Sequence, residues 1–269
     1  MLRTCLTTLI CGALALMAGT AAASWMLLDN FEDYTVGQDI VGQNSWSGYE
    51  RYVASDPASG NQNQVLRIAS VSGSTRSTLK PITISAGDTG TLFFRFRLGA
   101  TSGNDLFVGT TTLGYTETAG LADCLRQVSA ELRAHDGSWK TVATGLSADQ
   151  WYNVWHVIDN DNATWRMYIE GGNYTTQTLL DSSGDSDFAF RTGDGTVDLI
   201  NLAVVTLVGQ NNNAYIDDIY LDATEANLLN PIPEPGTAVM LALGLLGLLA
   251  FGRWRRFGGR IWRTRGRHG

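Results

Sequence analysis

The run Thr91-Leu92-Phe93-Phe94-Arg95-Phe96-Arg97-Leu98 constrains this chain more than any other segment. Successive side chains of a strand point to opposite faces, so Leu92, Phe94, Phe96 and Leu98 share one face and Arg95 and Arg97 the other. A helical period would scatter the same residues around an axis. The run therefore predicts a strand with one face in a core. Residues 65–69, 128–134, 151–158, 164–170, 197–208 and 214–221, rich in β-branched and aromatic side chains, read as further strands. Breakers separate them: Asp136-Gly137, Asp159-Asn160-Asp161-Asn162, Gly171-Gly172-Asn173 and residues 209–213. The Asp/Asn cluster joins 151–158 and 164–170 into a hairpin. Residues 121–128 read as one short helical turn. Many short strands and no internal repeat predict an all-β fold, a two-sheet antiparallel sandwich or jelly roll.

Both ends differ from this pattern. Arg3, an apolar stretch at 6–18 and Ala21-Ala22-Ala23 have the order of a secretory signal peptide, 1–23, with cleavage expected after Ala23. Cys11 follows Thr8-Leu9-Ile10, too bulky for a lipoprotein site. At the other end, Pro233-Glu234-Pro235 precedes an uncharged apolar run, 237–251, and then Arg253, Arg255 and Arg256. As a helix this run spans roughly 22 Å at ~1.5 Å per residue, short of a hydrocarbon core of about 30 Å. Trp254 and snorkelling arginines extend its reach. Arginines after the span place the tail on the cytoplasmic side and the bulk of the chain outside. Triplet, span and basic end together resemble the PEP-CTERM sorting signal of Gram-negative bacteria, here 233–256. The resemblance implies export to the cell envelope or extracellular matrix, transient anchoring in the inner membrane by a transmembrane helix, and recognition by an exosortase. A basic tail, 257–269, continues where such signals usually stop.

Between the ends, 24–224 reads as one domain, followed by a linker at 225–232. The whole chain has a net charge of −7, but the exported part holds 11 Lys+Arg against 25 Asp+Glu, a net charge of −14. That balance excludes nucleic acid, whose phosphates need cationic partners. Cys124 is the one cysteine left after removal of the signal peptide. An internal disulfide is therefore excluded, and a buried inert thiol is expected.

Three segments carry a second resemblance. They are Leu28-Asp29-Asn30-Phe31-Glu32-Asp33-Tyr34 with Gly42-Gln43-Asn44-Ser45-Trp46, Trp151-Tyr152-Asn153-Val154-Trp155 with its hairpin, and Ala214-Tyr215-Ile216-Asp217-Asp218-Ile219-Tyr220-Leu221. Together they resemble the concanavalin A-like/laminin-G jelly roll. Lectins, carbohydrate-binding modules, glycoside hydrolases and polysaccharide lyases share that scaffold, so the fold alone does not choose among them.

Hard cations need several oxygen ligands. Asp29 and Glu32 open the domain, and Asp217 and Asp218 close it. The resemblance implies that such terminal carboxylates share a structural calcium. Sugar recognition pairs an aromatic platform with directed polar groups, for which Trp46, Tyr49 and Trp139 are the candidates, with Tyr52 beside them. Trp151, Trp155 and Trp165 are expected in the core. A glycosidase needs two carboxylates about 5–5.5 Å apart for retention or about 6.5–9.5 Å apart for inversion. No Glu-x-Asp-x-x-Glu strand occurs, and Glu131 and Glu170 have no spaced partner. His135 and His156 are lone histidines expected to be structural or exposed. No Gly-x-Ser-x-Gly elbow is present. The expectation is a non-catalytic envelope or matrix protein that binds polysaccharide. A secreted glycoside hydrolase or lyase, or a purely structural surface protein, is the alternative.

Overall fold

The computed structural model describes residues 25–60, 62–69, 75–103, 105–114, 117–207 and 213–232. The expected signal peptide, the sorting segment with its apolar helix, and the basic tail lie outside the described residues. No helix among the described residues is long and apolar enough to cross a membrane.

Sixteen strands follow one another among the described residues: β1 (Met26–Asp29), β2 (Ser47–Gly48), β3 (Tyr52–Ser55), β4 (Gln64–Ile68), β5 (Arg76–Ile84), β6 (Thr89–Leu98), β7 (Asp105–Thr111), β8 (Leu125–Val128), β9 (Glu131–Asp136), β10 (Ser138–Ala143), β11 (Trp151–Asp159), β12 (Thr164–Gly171), β13 (Tyr174–Leu179), β14 (Phe188–Ala189), β15 (Leu199–Thr206) and β16 (Ala214–Asp222). They form two antiparallel sheets. The first runs β13-β12-β11-β6-β16-β4-β3, with β1 beside β16 and β14 beside β12; the second runs β10-β9-β8-β7-β15-β5-β2. This is the two-sheet jelly-roll sandwich that the alternation predicted.

The core lies between the sheets. Leu92, Phe94, Phe96 and Leu98 of β6 are at most 1% exposed. Tyr152, Val154 and Ile158 of β11 and Trp165, Met167 and Ile169 of β12 extend the same inner face. Ile82, Ile84, Leu106, Val108, Leu202 and Val204 meet them from the second sheet. Each such side chain contributes roughly 1.5–3 kcal/mol by leaving water. The 151–170 hairpin forms as expected, with Asp159 opposite Thr164. Its acidic turn is closed locally: the Asp159 carboxylate accepts from the backbone N–H groups of Asp161 and Asn162 and from the Asn162 amide.

Four details depart from the sequence reading. Residues 128–134 are not one strand; Ser129, at φ 53, turns the chain from β8 into β9. The helical turn expected at 121–128 is also absent. Leu125 and Gln127 are buried while Arg126 is half-exposed, the alternation of a strand paired to β7. β16 carries a bulge. Its register against β6 shifts between Asp217 and Tyr220, and Asp218 has φ 49. The extra residue keeps Ile216, Ile219 and Leu221 facing the core despite the two adjacent acids. Finally, the compact unit runs through Leu229 rather than ending at 224. The supposed linker lies against the first sheet: Thr91 Oγ1 donates to Glu225 O, and the Asn227 N–H donates to Thr91 Oγ1. Trp155 Nε1 donates to Leu229 O and Gln177 Nε2 to Leu228 O.

Candidate functional site

Strand pairing places the residues opposite the core face of β6 in continuous rows. Tyr52 pairs with Arg67, Arg67 with Tyr215, Tyr215 with Arg97, and Arg97 with Trp151. Partners opposite one another in antiparallel strands share a face. These five residues therefore cross β3, β4, β16, β6 and β11 on the outer face of the first sheet. At about 4.8 Å per strand the row is roughly 19 Å long. A second row runs Asp217, Arg95, Asn153, Glu170, and a third runs Tyr220, Phe93, Trp155, Tyr168, Leu179. The third row is closed: Phe93 and Trp155 pack edge to face at 5.0 Å and are buried beside Trp25, Tyr220 and the 225–229 segment.

The first row stays partly open. Tyr52 is 36% exposed and Trp151 is half-buried. Trp151 Nε1 donates to Asp56 Oδ2 at 3.1 Å. Asp56 Oδ1 in turn accepts from Arg97 Nη1 at 2.9 Å, and Arg97 also pairs with exposed Asp149. Arg97 lies 5.0 Å from the Tyr215 ring centroid, and Arg95 lies 4.8 Å from that of Trp151 while pairing with Asp218 at 3.0 Å. The result is a set of rings held rigid by guanidinium and carboxylate groups. Rigid aromatic faces with fixed donors and acceptors beside them are what recognition of a hydroxylated ring requires.

Asp217 is the outlier of this face. It is 1% exposed and accepts from Asn63 Nδ2 at 2.8 Å. Burial, and then the neighbouring Asp218 charge, push its carboxyl up to about 8. The folded protein thus holds this proton more tightly than the unfolded chain, whose aspartates titrate near 3.9. Stability from this group is full at acid pH and falls as pH rises through the interval up to about 8. Asp217→Asn, neutral at every pH, should match wild type near pH 4. It should exceed wild type at pH 9 by an amount on the order of a few kcal/mol, read from urea unfolding at both pH values. A constant difference between the two proteins would refute this.

Each of the four terminal carboxylates has a partner within the protein. β1 lies beside β16, with Met26 opposite Leu221 and Asp29 opposite Ile219. Asp29 accepts from the Phe31 N–H, Tyr34 Oη, Asn44 Nδ2 and Trp46 Nε1. Glu32 accepts from the Gln64 N–H, Asp217 from Asn63, and Asp218 pairs with Arg95. Among the described residues, no group of three His, Cys, Asp or Glu side chains is placed to hold a metal ion. Chelation tests the shared calcium: a fall of several degrees in melting temperature would establish the clamp, and an unchanged melting temperature across repeated scans would refute it.

The three candidate sugar platforms fare differently. Trp46 is 1% exposed and its indole N–H is bound to Asp29, so it packs in the core instead of stacking on a ligand. Trp139 lies half-buried on the outer face of the second sheet, with His135 at 5.2 Å and the Arg126 and Arg191 guanidiniums over its ring. Guanidinium groups thus lie over this ring as Arg95 lies over that of Trp151. Tyr49 is half-buried beside a cleft on the edge of the second sheet. Trp165 is in the core as expected, whereas Trp151 and Trp155 point to the outer face. His156 is fully buried with Nδ1 2.9 Å from Asp123 Oδ2, and Cys124 is fully buried, its thiol pushed up to about 12 by desolvation. The sorting residues Pro233, Glu234, Pro235, Arg253, Arg255 and Arg256 lie outside the described residues.

Fold and face together define an all-β sandwich with a partly open aromatic face. Residues 231–256 match the PEP-CTERM protein-sorting motif. A signal of this kind implies export to the cell envelope and processing by an exosortase. No match to the chain was found among curated proteins. Among solved structures, the chain is similar to the catalytic domain of a glycoside hydrolase family 131 protein from Coprinopsis cinerea, at 13% identity and a TM-score of 0.49, covering 78% of this chain and 98% of that one. It is also similar to a family 131 β-glucanase catalytic domain from Podospora anserina, at 16% identity and a TM-score of 0.49, covering 76% and 98%. Lectin UEA-II, solved with galactose, aligns at 12% identity and a TM-score of 0.48, covering 73% and 97%.

Proposed function

We propose that this exported domain binds polysaccharide without cleaving it, on the outer face of the first sheet. The observation that carries the reading is the Tyr52-Arg67-Tyr215-Arg97-Trp151 row, whose two end rings, Tyr52 and Trp151, are partly open while Tyr215 and Arg97 between them are buried. The length of the row suits an extended chain of sugar units more than a single small molecule. Of the carboxylates on this face, Asp56 and Asp149 are held by Arg97 and Asp218 by Arg95, while Asp217 and Glu170 end the second row three strand spacings apart, roughly 14 Å, beyond the about 6.5–9.5 Å that inversion requires. On this reading the apolar span at 237–251 tethers the chain in the inner membrane until an exosortase acts, and the domain then works in the envelope or matrix. A depletion assay tests it: the protein is mixed with a panel of bacterial and plant polysaccharides, and supernatants are assayed for lost protein and released sugar. Retention without release is expected. Release would make the protein an enzyme, and neither across a broad panel would make it a structural surface component.

A further inference from the structure

Six of the 11 basic side chains in the exported part are ion-paired: Lys80, Arg95, Arg97, Arg126, Arg133 and Arg166. Arg51 and Arg76 are not. Arg51 is 2% exposed, and charges so buried are normally paired. Its Nη2 instead donates to Arg76 O at 3.2 Å and Thr206 Oγ1 at 2.8 Å, both uncharged. The Nε atoms of Arg51 and Arg76 have no partner. No Asp or Glu among the described residues pairs with either side chain. The undescribed positions within the domain (61, 70–74, 104, 115–116 and 208–212) hold no acid. Burial lowers Arg51 to about 10; Tyr49 raises it and the like charge of Arg76 lowers it further.

The two cations meet at Tyr49, with guanidinium carbons 4.4 Å (Arg76) and 5.5 Å (Arg51) from its ring centroid. The placement is built into the sheet edge. Gly48 pairs with Thr78 of β5, the Tyr49 N–H donates to Ser77 O at 2.8 Å, and Thr78 Oγ1 donates to Tyr49 O at 2.6 Å. Gly48 has φ 99, and a Cβ there would meet Ser77 O at 2.6 Å, so only glycine lets β2 approach this closely. Beside these residues lies a cleft of about 330 Å³, lined among the described residues by Gly48, Tyr49, Thr75, Arg76 and Ser77.

We propose that this cleft is an anion subsite that takes the carboxylate or sulfate group of an acidic sugar. Arg76 is the contacting cation, Arg51 the buried charge behind it, and the Tyr49 ring the wall. A planar guanidinium matches either group bidentately. The exported part carries −14 overall, but the intact chain also has seven arginines at 253–267, so the loss on Arg76→Gln, not retention alone, reports the local site. The proposal rests on the polysaccharide reading for its ligand class but lies on the other sheet.

The test uses the intact chain in mild detergent, with polygalacturonate, dextran sulfate and neutral dextran as probes at low and high salt. Wild type should be retained on an acidic polymer more than on neutral dextran, and high salt should weaken this. Where Arg76→Gln removes the preference, polygalacturonate alone assigns the carboxylate and dextran sulfate alone the sulfate, and either supports the subsite. Arg76→Gln, with its melting temperature checked, should lose roughly tenfold or more of the affinity for the acidic polymer. Arg76→Lys should retain part of it. Arg76→Gln binding as wild type, or no preference of wild type for acidic polymers, overturns the subsite. Loss with Trp151→Ala but not Arg76→Gln overturns it while leaving the sheet-face reading standing; the converse does the opposite.

Discussion

Alanine at Asp29 is expected to cost the domain about 3–5 kcal/mol, a large part of a native stability that is typically 5–15 kcal/mol. Asp29 ends β1 at 5% exposure, and its two oxygens serve four donors: the Phe31 N–H at 3.0 Å, Tyr34 Oη at 2.8 Å, Asn44 Nδ2 at 3.0 Å and Trp46 Nε1 at 2.7 Å. Buried Lys80 lies 3.9 Å away and supplies the countercharge. Removing the carboxylate strands an indole N–H, a phenol and an ammonium away from water, and each unsatisfied group costs its desolvation. It also frees the loop that holds Phe31 at φ 61. Asp29→Asn keeps part of the geometry without the charge and should cost less. Urea unfolding followed by tryptophan fluorescence measures both, and a loss below about 1 kcal/mol for Asp29→Ala would mean the cluster is not a hub. The opening strand is thus pinned by protein donors at Asp29.

Trp151→Ala is expected to cost about 2 kcal/mol of polysaccharide affinity, 20- to 30-fold, the scale of a central aromatic contact. The ring is half-buried, so its removal leaves the core intact, and Arg97 continues to hold Asp56 at 2.9 Å. The change should therefore separate binding from folding, with nearly full loss of retention and only a modest fall in melting temperature. Trp151→Phe keeps a stacking ring but loses the 3.1 Å bond to Asp56, and should lie between the two. Equal retention by Trp151→Ala and wild type would remove this row from the binding face.

The sandwich was readable because burial enforces period 2: Leu92, Phe94, Phe96 and Leu98 could not face water together. The binding face was not readable in the same way. Arg95 and Arg97 were correctly placed opposite the core, but their neighbours come from β16, β4 and β11, whose adjacency to β6 is a matter of topology. The alternation of Trp151 and Trp155 within their strand suggests core positions. Their parity within β11 is opposite to that of Tyr152 and Val154, and parity outweighs residue type. Phe93 and Trp155 are buried on the outer face because Trp25, Tyr220 and 225–229 lie there, and a short segment before a sorting signal reads as a linker. The Gly/Ser-rich surroundings of Trp46 suggest a surface ring and cannot reveal that its N–H reaches Asp29, 17 positions earlier. The Asp217-Asp218 pair was visible, but not the bulge that turns one acid into a buried group and the other into a partner of Arg95.

The most direct test is a binding isotherm of wild type and Trp151→Ala on the polysaccharide that best depletes the protein, with reducing ends and unsaturated sugars assayed in the same tubes. Saturable retention by wild type, a 20- to 30-fold weaker isotherm for Trp151→Ala and no released sugar are predicted. Sugar release by wild type, or superimposable isotherms, would contradict non-catalytic binding on this face.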